Sequence, residues 1–295
     1  MPKRAIDEVV IIYNPNSTGN SAENAKKLRD ELKEHSFKNN VRLMPTKYSG
    51  HAEKIAESYA KKDQVTLLVS SSGDGGYHEL INGILKSGAT NVISGLLPSG
   101  NANDHFSAIG SESVVQDIIK NTSRQIDVLR IDSTLNGRPW TRYAHSYIGM
   151  GVSPVIGKEL NKIKLNAFNE KIILVRQLLS FDNVRIAIGG KKVRIISIIF
   201  ANIPTMSKVL KIAKSGAVDD GKFEINKIEA GSRAKIFLQL FQASTMGLKE
   251  DRSAKTYTFK TIKSSPIQLD GEVYRLDSHS DVTISVEHQA LTTII

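Results

Sequence analysis

Between residues 8 and 131 short apolar runs alternate with segments of helical period, and this constrains the fold more than any other feature of the chain. Val9–Tyr13, Val41–Met44, Val65–Ser70 and Val92–Leu97 read as strands. Ser21–His35, Ala52–Lys61, Tyr77–Lys86 and Ser113–Lys120 read as helices, the first carrying Ala22, Ala25, Leu28 and Leu32. Strands joined through helices must run parallel, because the crossover returns each to the same edge of the sheet. The expectation is a doubly wound parallel α/β sheet, with ligands beyond the carboxyl ends of its strands.

Past about residue 131 the rhythm changes. Arg142–Gly149, Asn183–Ile188, Val193–Ala201, Phe223–Ile228, Thr256–Thr261, Pro266–Leu269 and Val282–Val286 read as strands, with Gly189-Gly190 as a hairpin turn. Helical patterns at Lys158–Phe181 and Arg233–Met246 interrupt them. With 295 residues, and single cores ceasing to grow at roughly 250–300, two domains are expected. These are residues 1–131, nucleotide-binding α/β, and 132–286, all-β and sandwich-like, with 287–295 free to return to the first.

Three strand-end loops carry the chemistry. Tyr13-Asn14-Pro15-Asn16-Ser17-Thr18-Gly19-Asn20 offers backbone N–H groups and amides to an anion at a helix start, though the same residues make an ordinary turn and N-cap. Ser71-Ser72-Gly73-Asp74-Gly75-Gly76 lets the backbone approach a bulky ligand. Asp74 in its midst would repel a bare phosphate unless Mg²⁺ or a sugar hydroxyl intervenes. It is neither a Walker loop nor a dinucleotide fingerprint, since His78 stands in the last glycine's place. Leu97-Pro98-Ser99-Gly100-Asn101-Ala102-Asn103-Asp104 is the third. Together they describe a nucleotide crevice.

In order, Asn14-Pro15-x-Ser17-x-Gly19, Ser72-Gly73-Asp74-Gly75 with His78-Glu79-Leu80-Ile81-Asn82-Gly83, and Pro98-Ser99-Gly100-Asn101-Ala102-Asn103-Asp104 resemble the diacylglycerol-kinase-type lipid kinases. This family includes bacterial diacylglycerol and phosphatidylglycerol kinases and the sphingosine and ceramide kinases. Asp219-Asp220-Gly221 and Asp270-Gly271-Glu272 extend the likeness to the C-terminus.

The resemblance implies an ATP- and Mg²⁺-dependent enzyme with its site in the cleft between the domains, passing the γ-phosphoryl group to a lipid hydroxyl. Gly73, Asp74 and Gly75 would wrap the phosphates, with Asn14, Thr46, Ser72, Gly76 and Asn101 in the same crevice. Gly76 and Asn101 stand where relatives carry threonine, so two hydroxyls are missing. Asp270 and Glu272 are the paired carboxylates. One would take the lipid's proton and the other could hold Mg²⁺ through water, with Glu272 slightly favoured as the base. Asp220, with the carbonyls of Ala217 and Lys222, corresponds to a structural Mg²⁺ site. Two alternatives stand beside this reading: an NAD kinase, which shares the Gly-Asp-Gly loop, and a non-catalytic nucleotide- or membrane-binding pseudokinase.

Charge points to the partner. The net +10 is concentrated in residues 151–216, which hold 12 Lys and Arg against Glu159, Glu170 and Asp182. Such a segment suits peripheral contact with an anionic membrane, or is simply a solvated face. Nucleic acid ranks lower, with aromatics at 6% and no binding motif. The chain has no cysteine, which excludes thiol nucleophiles, Cys-ligated zinc and iron–sulfur chemistry. Acids at Asp7 and Glu8 oppose a signal peptide, and no run approaches the ~20 apolar residues of a span, so a cytoplasmic location is expected. The oligomeric state is open, a homodimer included. Seven histidines form no His-x-x-x-His, and His78 and His105 read as loop or helix-start residues.

Overall fold

The computed structural model describes residues 5–17, 19–35, 37–100, 103–151, 184–206, 210–211, 217–229 and 252–295. The chain divides into two units, Met1–Asp127 with Gln289–Ile295, and Val128–His288.

The first unit runs β1 (Glu8–Tyr13), α1 (Ser21–Glu34), β2 (Asn40–Pro45), α2 (His51–Tyr59), β3 (Thr66–Ser72), α3 (Asp74–Ser87), β4 (Val92–Pro98), α4 (Asp104–Ile109) and α5 (Val114–Lys120). Its strands are parallel in the order β4-β3-β1-β2, and Thr293 near the C-terminus pairs in parallel with Ser94 on the outer side of β4. The chain moves from β1 to one side and crosses back to β3 on the other. The topological switch therefore lies between β1 and β3, and the loops leaving those two strands flank it. Both faces are covered, which explains the unbroken apolar run Val9–Ile12. Ala25, Leu28 and Leu32 of α1, spaced by three and four, close one face against Val9, Ile11, Leu67 and Val69. Each buried leucine contributes about 1.5–3 kcal/mol.

The second unit continues with β5 (Ser123–Leu135, which begins in the first unit), β6 (Arg138–Ala144), β7 (Tyr147–Gly151), β8 (Val184–Ile188), β9 (Lys191–Ala201), β10 (Thr205–Met206), β11 (Leu210–Lys211), β12 (Phe223–Glu229), β13 (Arg252–Ala254), β14 (Thr256–Thr261), β15 (Ser265–Leu269), β16 (Glu272–Leu276) and β17 (Asp281–Ile294). Its strands pair in the order β16-β15-β7-β9-β8-β14-β17, with β12 also on β9 and β5–β6 beside β17. A core of Ile148, Ile186, Ile198, Phe200, Phe223, Phe259, Leu269 and Ile284 fills it, and Phe200 meets Phe223 edge-on at 5.8 Å. The mixed α/β unit and the β-rich unit are the fold class expected of the sequence.

Several elements differ from expectation. The single strand expected over Arg142–Gly149 is two, β6 and β7, because the amides of residues 145–147 leave the ladder to meet Asp270. Helix α3 begins at Asp74 rather than Tyr77, so Gly75 and Gly76 are helical and His78 is a buried interior residue. His105, the second residue of α4, is buried as well. The helical patterns at Lys158–Phe181 and Arg233–Met246 lie outside the described residues. No described helix is long and apolar enough to cross a membrane.

Candidate active site

In the first unit the three loops are tied together by short polar side chains. Ser71 Oγ donates to the Ser21 carbonyl (2.7 Å), Ser21 Oγ donates to the Ser71 carbonyl, and Ser71 and Ser99 hydroxyls lie 3.1 Å apart. Asn24 Nδ2 donates to Ser99 Oγ (2.9 Å), and the Ser99 N–H to the Ser72 carbonyl (3.0 Å). Small serines let three strand ends approach while satisfying buried polar groups that would otherwise cost about 1–3 kcal/mol each. Sequence reasoning did not single out Ser21, Asn24, Ser71 or Ser99. The Ser70-Ser71-Ser72 run at the end of an apolar strand is the signal that could have found them.

Asn14 folds its own loop: its Oδ1 accepts the Asn16 N–H (2.9 Å), and its N–H donates to Ser21 Oγ (3.2 Å). Thr46, half-buried at the end of β2, donates its N–H to the Tyr13 carbonyl (2.8 Å), which sets it beside the first loop. Gly73 and Gly100 bring the second and third loops into backbone contact. A Cβ on Gly100 would lie 2.5 Å from the Gly73 Cα, so nothing larger fits. Asn103, with φ 53°, closes the third loop by accepting the Gly100 N–H at Oδ1 (3.1 Å) and donating to the Gly100 carbonyl (2.9 Å). Asn101 lies outside the described residues.

Among the described residues no side chain caps α3. The N–H groups of its first turn, Asp74 through Gly76, stand at the positive end of a 14-residue helix beside the switch point. Amides so placed can receive an anion. The missing hydroxyl at Gly76 has a steric cause. A Cβ there would lie 2.5 Å from Ser72 Oγ and 2.6 Å from its Cβ, so the Ser72 side chain holds that space. Ser72 Oγ lies 2.7 Å from Ser70 Oγ and donates to the Gly73 carbonyl (2.9 Å). The Ser72 side chain thus occupies the space that a side chain at position 76 would take.

The rest of that motif is structural. The Glu79 carboxylate accepts the N–H of Gly50 (2.7 Å) and Ala52 (3.3 Å) and so caps α2 from outside. Asn82 Nδ2 donates to the His78 carbonyl (2.8 Å), and Gly83 admits the backbone of Glu53 on α2.

In the second unit the two candidate carboxylates have opposite environments. Asp270 and Gly271, with φ 49° and 102°, form the two-residue turn between β15 and β16. Asp270 is buried. Its Oδ2 accepts the His145 N–H (2.9 Å), and its Oδ1 accepts those of Ser146 (2.9 Å) and Tyr147 (3.1 Å). The His145 imidazole Nε2 lies 3.4 Å from Oδ2. Glu272, two residues on, is exposed, and its side chain makes no hydrogen bond or ion pair among the described residues. The arrangement fits Asp270 to hold the hairpin and leaves the Glu272 carboxylate open to solvent.

Asp220 is exposed in the turn before β12, and its Oδ1 accepts the Lys222 N–H (3.0 Å). Its other carboxylate oxygen and the carbonyls of Ala217 and Lys222, close in sequence, are hard donors. These hard oxygens suit Mg²⁺ bound largely through water. Among the described residues no three His, Asp or Glu side chains cluster as a metal cage.

Residues 8–131 match the diacylglycerol kinase catalytic domain family. Over the whole chain the fold resembles the crystal structure of a diacylglycerol kinase from Bacillus anthracis str. Sterne, at 18% identity and a TM-score of 0.70, covering 99% of this chain and 98% of that one. Two structures of candidate diacylglycerol kinases from the same strain give 19% identity with TM-scores of 0.69 and 0.71, at the same coverage. At such identities the likeness is one of fold. No curated protein matches the chain in sequence.

Proposed function

We propose that this chain, whose residues 8–131 fall in the diacylglycerol kinase catalytic-domain family, is an ATP- and Mg²⁺-dependent lipid kinase. It would pass the γ-phosphoryl group to a hydroxyl of a membrane lipid such as diacylglycerol, phosphatidylglycerol or a sphingoid base. The observation that carries this reading is the uncapped first turn of α3, set between two loops that touch through Gly73 and Gly100. Phosphoryl transfer rests mainly on positioning and charge stabilisation, and backbone amides at a helix start supply both. The Ser72 hydroxyl lies over that turn with its proton given to the Gly73 carbonyl, and Asn14 and Thr46 line the neighbouring strand ends.

Glu272 is the general base. It accepts the proton of the lipid hydroxyl as that oxygen bonds to the γ-phosphorus and the bond to the β-bridging oxygen breaks, releasing ADP. A positioned base of this kind contributes about 10²–10⁴-fold. Asp270 positions it, by pinning the Asp270-Gly271 turn to the start of β7. Mg²⁺ would neutralise charge on the phosphates; Asp74 is the carboxylate suited to the nucleotide's ion, and Asp220 with the Ala217 and Lys222 carbonyls to a structural one.

Incubation with labelled ATP, Mg²⁺ and a panel of diacylglycerol, phosphatidylglycerol and sphingosine, with NAD as a control acceptor, should label one lipid class. Labelling of NAD alone, or of nothing while the protein binds ATP, would overturn the reading.

A further inference from the structure

The antiparallel sheet β9-β8-β14-β17 has one face in the core and one exposed. Ile195, Ile186, Tyr257, Phe259, Val282 and Ile284 point inward. Outward, Arg194 of β9 stands directly opposite Arg185 of β8, and both are exposed. In the next row Lys192 stands opposite Ala187, which stands opposite Lys260 of β14, which is opposite Asp281 of β17. Lys191 follows at the tip of the Gly189-Gly190 turn. Lys260 has a partner, Asp281 at 3.4 Å. Arg185, Lys191, Lys192 and Arg194 form no ion pair among the described residues.

Like charges placed directly across two strands destabilise a sheet, and surface arginines gain nothing from one another. On β8, β9 and β14 no acidic residue stands beside this directly opposed arginine pair, so the arrangement is one whose benefit comes from a ligand. The face also identifies that ligand by what it lacks. Beside Lys260 and Asp281 the paired outward positions of β14 and β17 are Thr256, Thr258, Thr283 and Ser285, and the aromatic rings of β14 point into the core. Among the described residues this face presents no exposed ring on which a nucleic acid base could stack. The cations are spread along two rows of a sheet, which suits a surface of distributed negative charge.

We propose that this face, centred on Arg185 and Arg194, docks the protein on an anionic phospholipid leaflet. The choice of a lipid surface over another polyanion rests on the lipid-kinase reading. The docking itself needs no nucleotide and no turnover. Cations near such a leaflet are attracted by its surface potential, and the attraction is screened by salt.

The test is co-sedimentation of the whole protein, without ATP, with vesicles of phosphatidylglycerol and phosphatidylcholine against vesicles of phosphatidylcholine alone. Binding should require phosphatidylglycerol, weaken as salt rises, and fall about thirtyfold in the Arg185→Gln/Arg194→Gln variant. Removing an opposed like-charge pair should leave the melting temperature unchanged or higher, so loss of fold cannot mimic loss of docking. Phosphoryl transfer to a short-chain acceptor in solution should be unaffected by the variant, so a kinase that fails and a surface that fails give different results. Equal binding to both vesicle types, or full phosphatidylglycerol binding by the variant, would sink the proposal. So would capture of single-stranded RNA in preference to the vesicles, which would give this face to nucleic acid.

Discussion

The Asp270 carboxylate accepts a hydrogen bond from the His145 backbone at 2.9 Å, across 125 positions of sequence, and those of Ser146 and Tyr147 follow. A carboxylate held by three amides at the start of β7 fixes the turn from which Glu272 projects. Replacing it with asparagine puts an N–H donor against amide donors, leaving buried groups unsatisfied at a cost of about 1–3 kcal/mol. Asp270→Asn should therefore lower thermal stability as well as turnover. Glu272→Gln should melt like wild type and lose about 10²–10⁴-fold in turnover with little change in ATP affinity. Equal loss of stability in both variants would remove the division of roles.

Gly76→Thr should be unfavourable by itself, since its Cβ would collide with Ser72, at about 1–3 kcal/mol for overpacking. Adding Ser72→Gly opens the space, and the double variant should recover stability and nucleotide binding. Urea denaturation and ATP titration of the three variants measure the coupling, and strict additivity would show that the two positions do not share this space.

Gly100→Ala places a methyl against the Gly73 backbone, where neither chain can give way by rotating a side chain. The loops must part, so ATP affinity should drop by more than tenfold while the core of the first unit still melts cooperatively. Calorimetric titration with a non-hydrolysable ATP analogue tests this, and unchanged affinity would mean that contact between the two loops is not needed.

Glu79 lies in the most recognisable motif of the chain, yet it caps α2. Glu79→Ala should cost about 1–2 kcal/mol in stability, while turnover per folded molecule at low temperature stays near wild type. A large fall in turnover with stability intact would instead place Glu79 in the reaction.

Burial pushes the Tyr143 hydroxyl above its ordinary value, with Glu287 and Asp132 adding to the effect and Arg130 opposing it. The folded state thus holds the proton more tightly than the unfolded chain. The resulting stability is fully present below about pH 10 and is lost as pH rises through the folded value. Denaturant midpoints measured across the alkaline range should fall less steeply for Tyr143→Phe, and parallel curves would exclude the effect.

The primary structure determined the elements whose cause is local. Strand–helix alternation over residues 8–131 specifies a parallel sheet, because apolar strands buried on both faces need helices to cover them. Gly189-Gly190 specifies a hairpin, because both positions require positive φ, as they show at 55° and 78°. The three loops were legible too, since glycine, serine and asparagine at strand ends have few other uses. What a one-dimensional reading left open was the use of each side chain. Asp270 and Glu272 look equivalent two residues apart, and only the arrival of residues 145–147 makes one an anchor and leaves the other free. Gly76 looks like a lost hydroxyl until Ser72 is found filling its space. Arg185 and Arg194 are two charges among many until strand register sets them opposite each other. In each case the deciding partner is distant in sequence or on another strand, and burial, hydrogen-bond satisfaction and like-charge proximity are properties of that pairing and not of the residue.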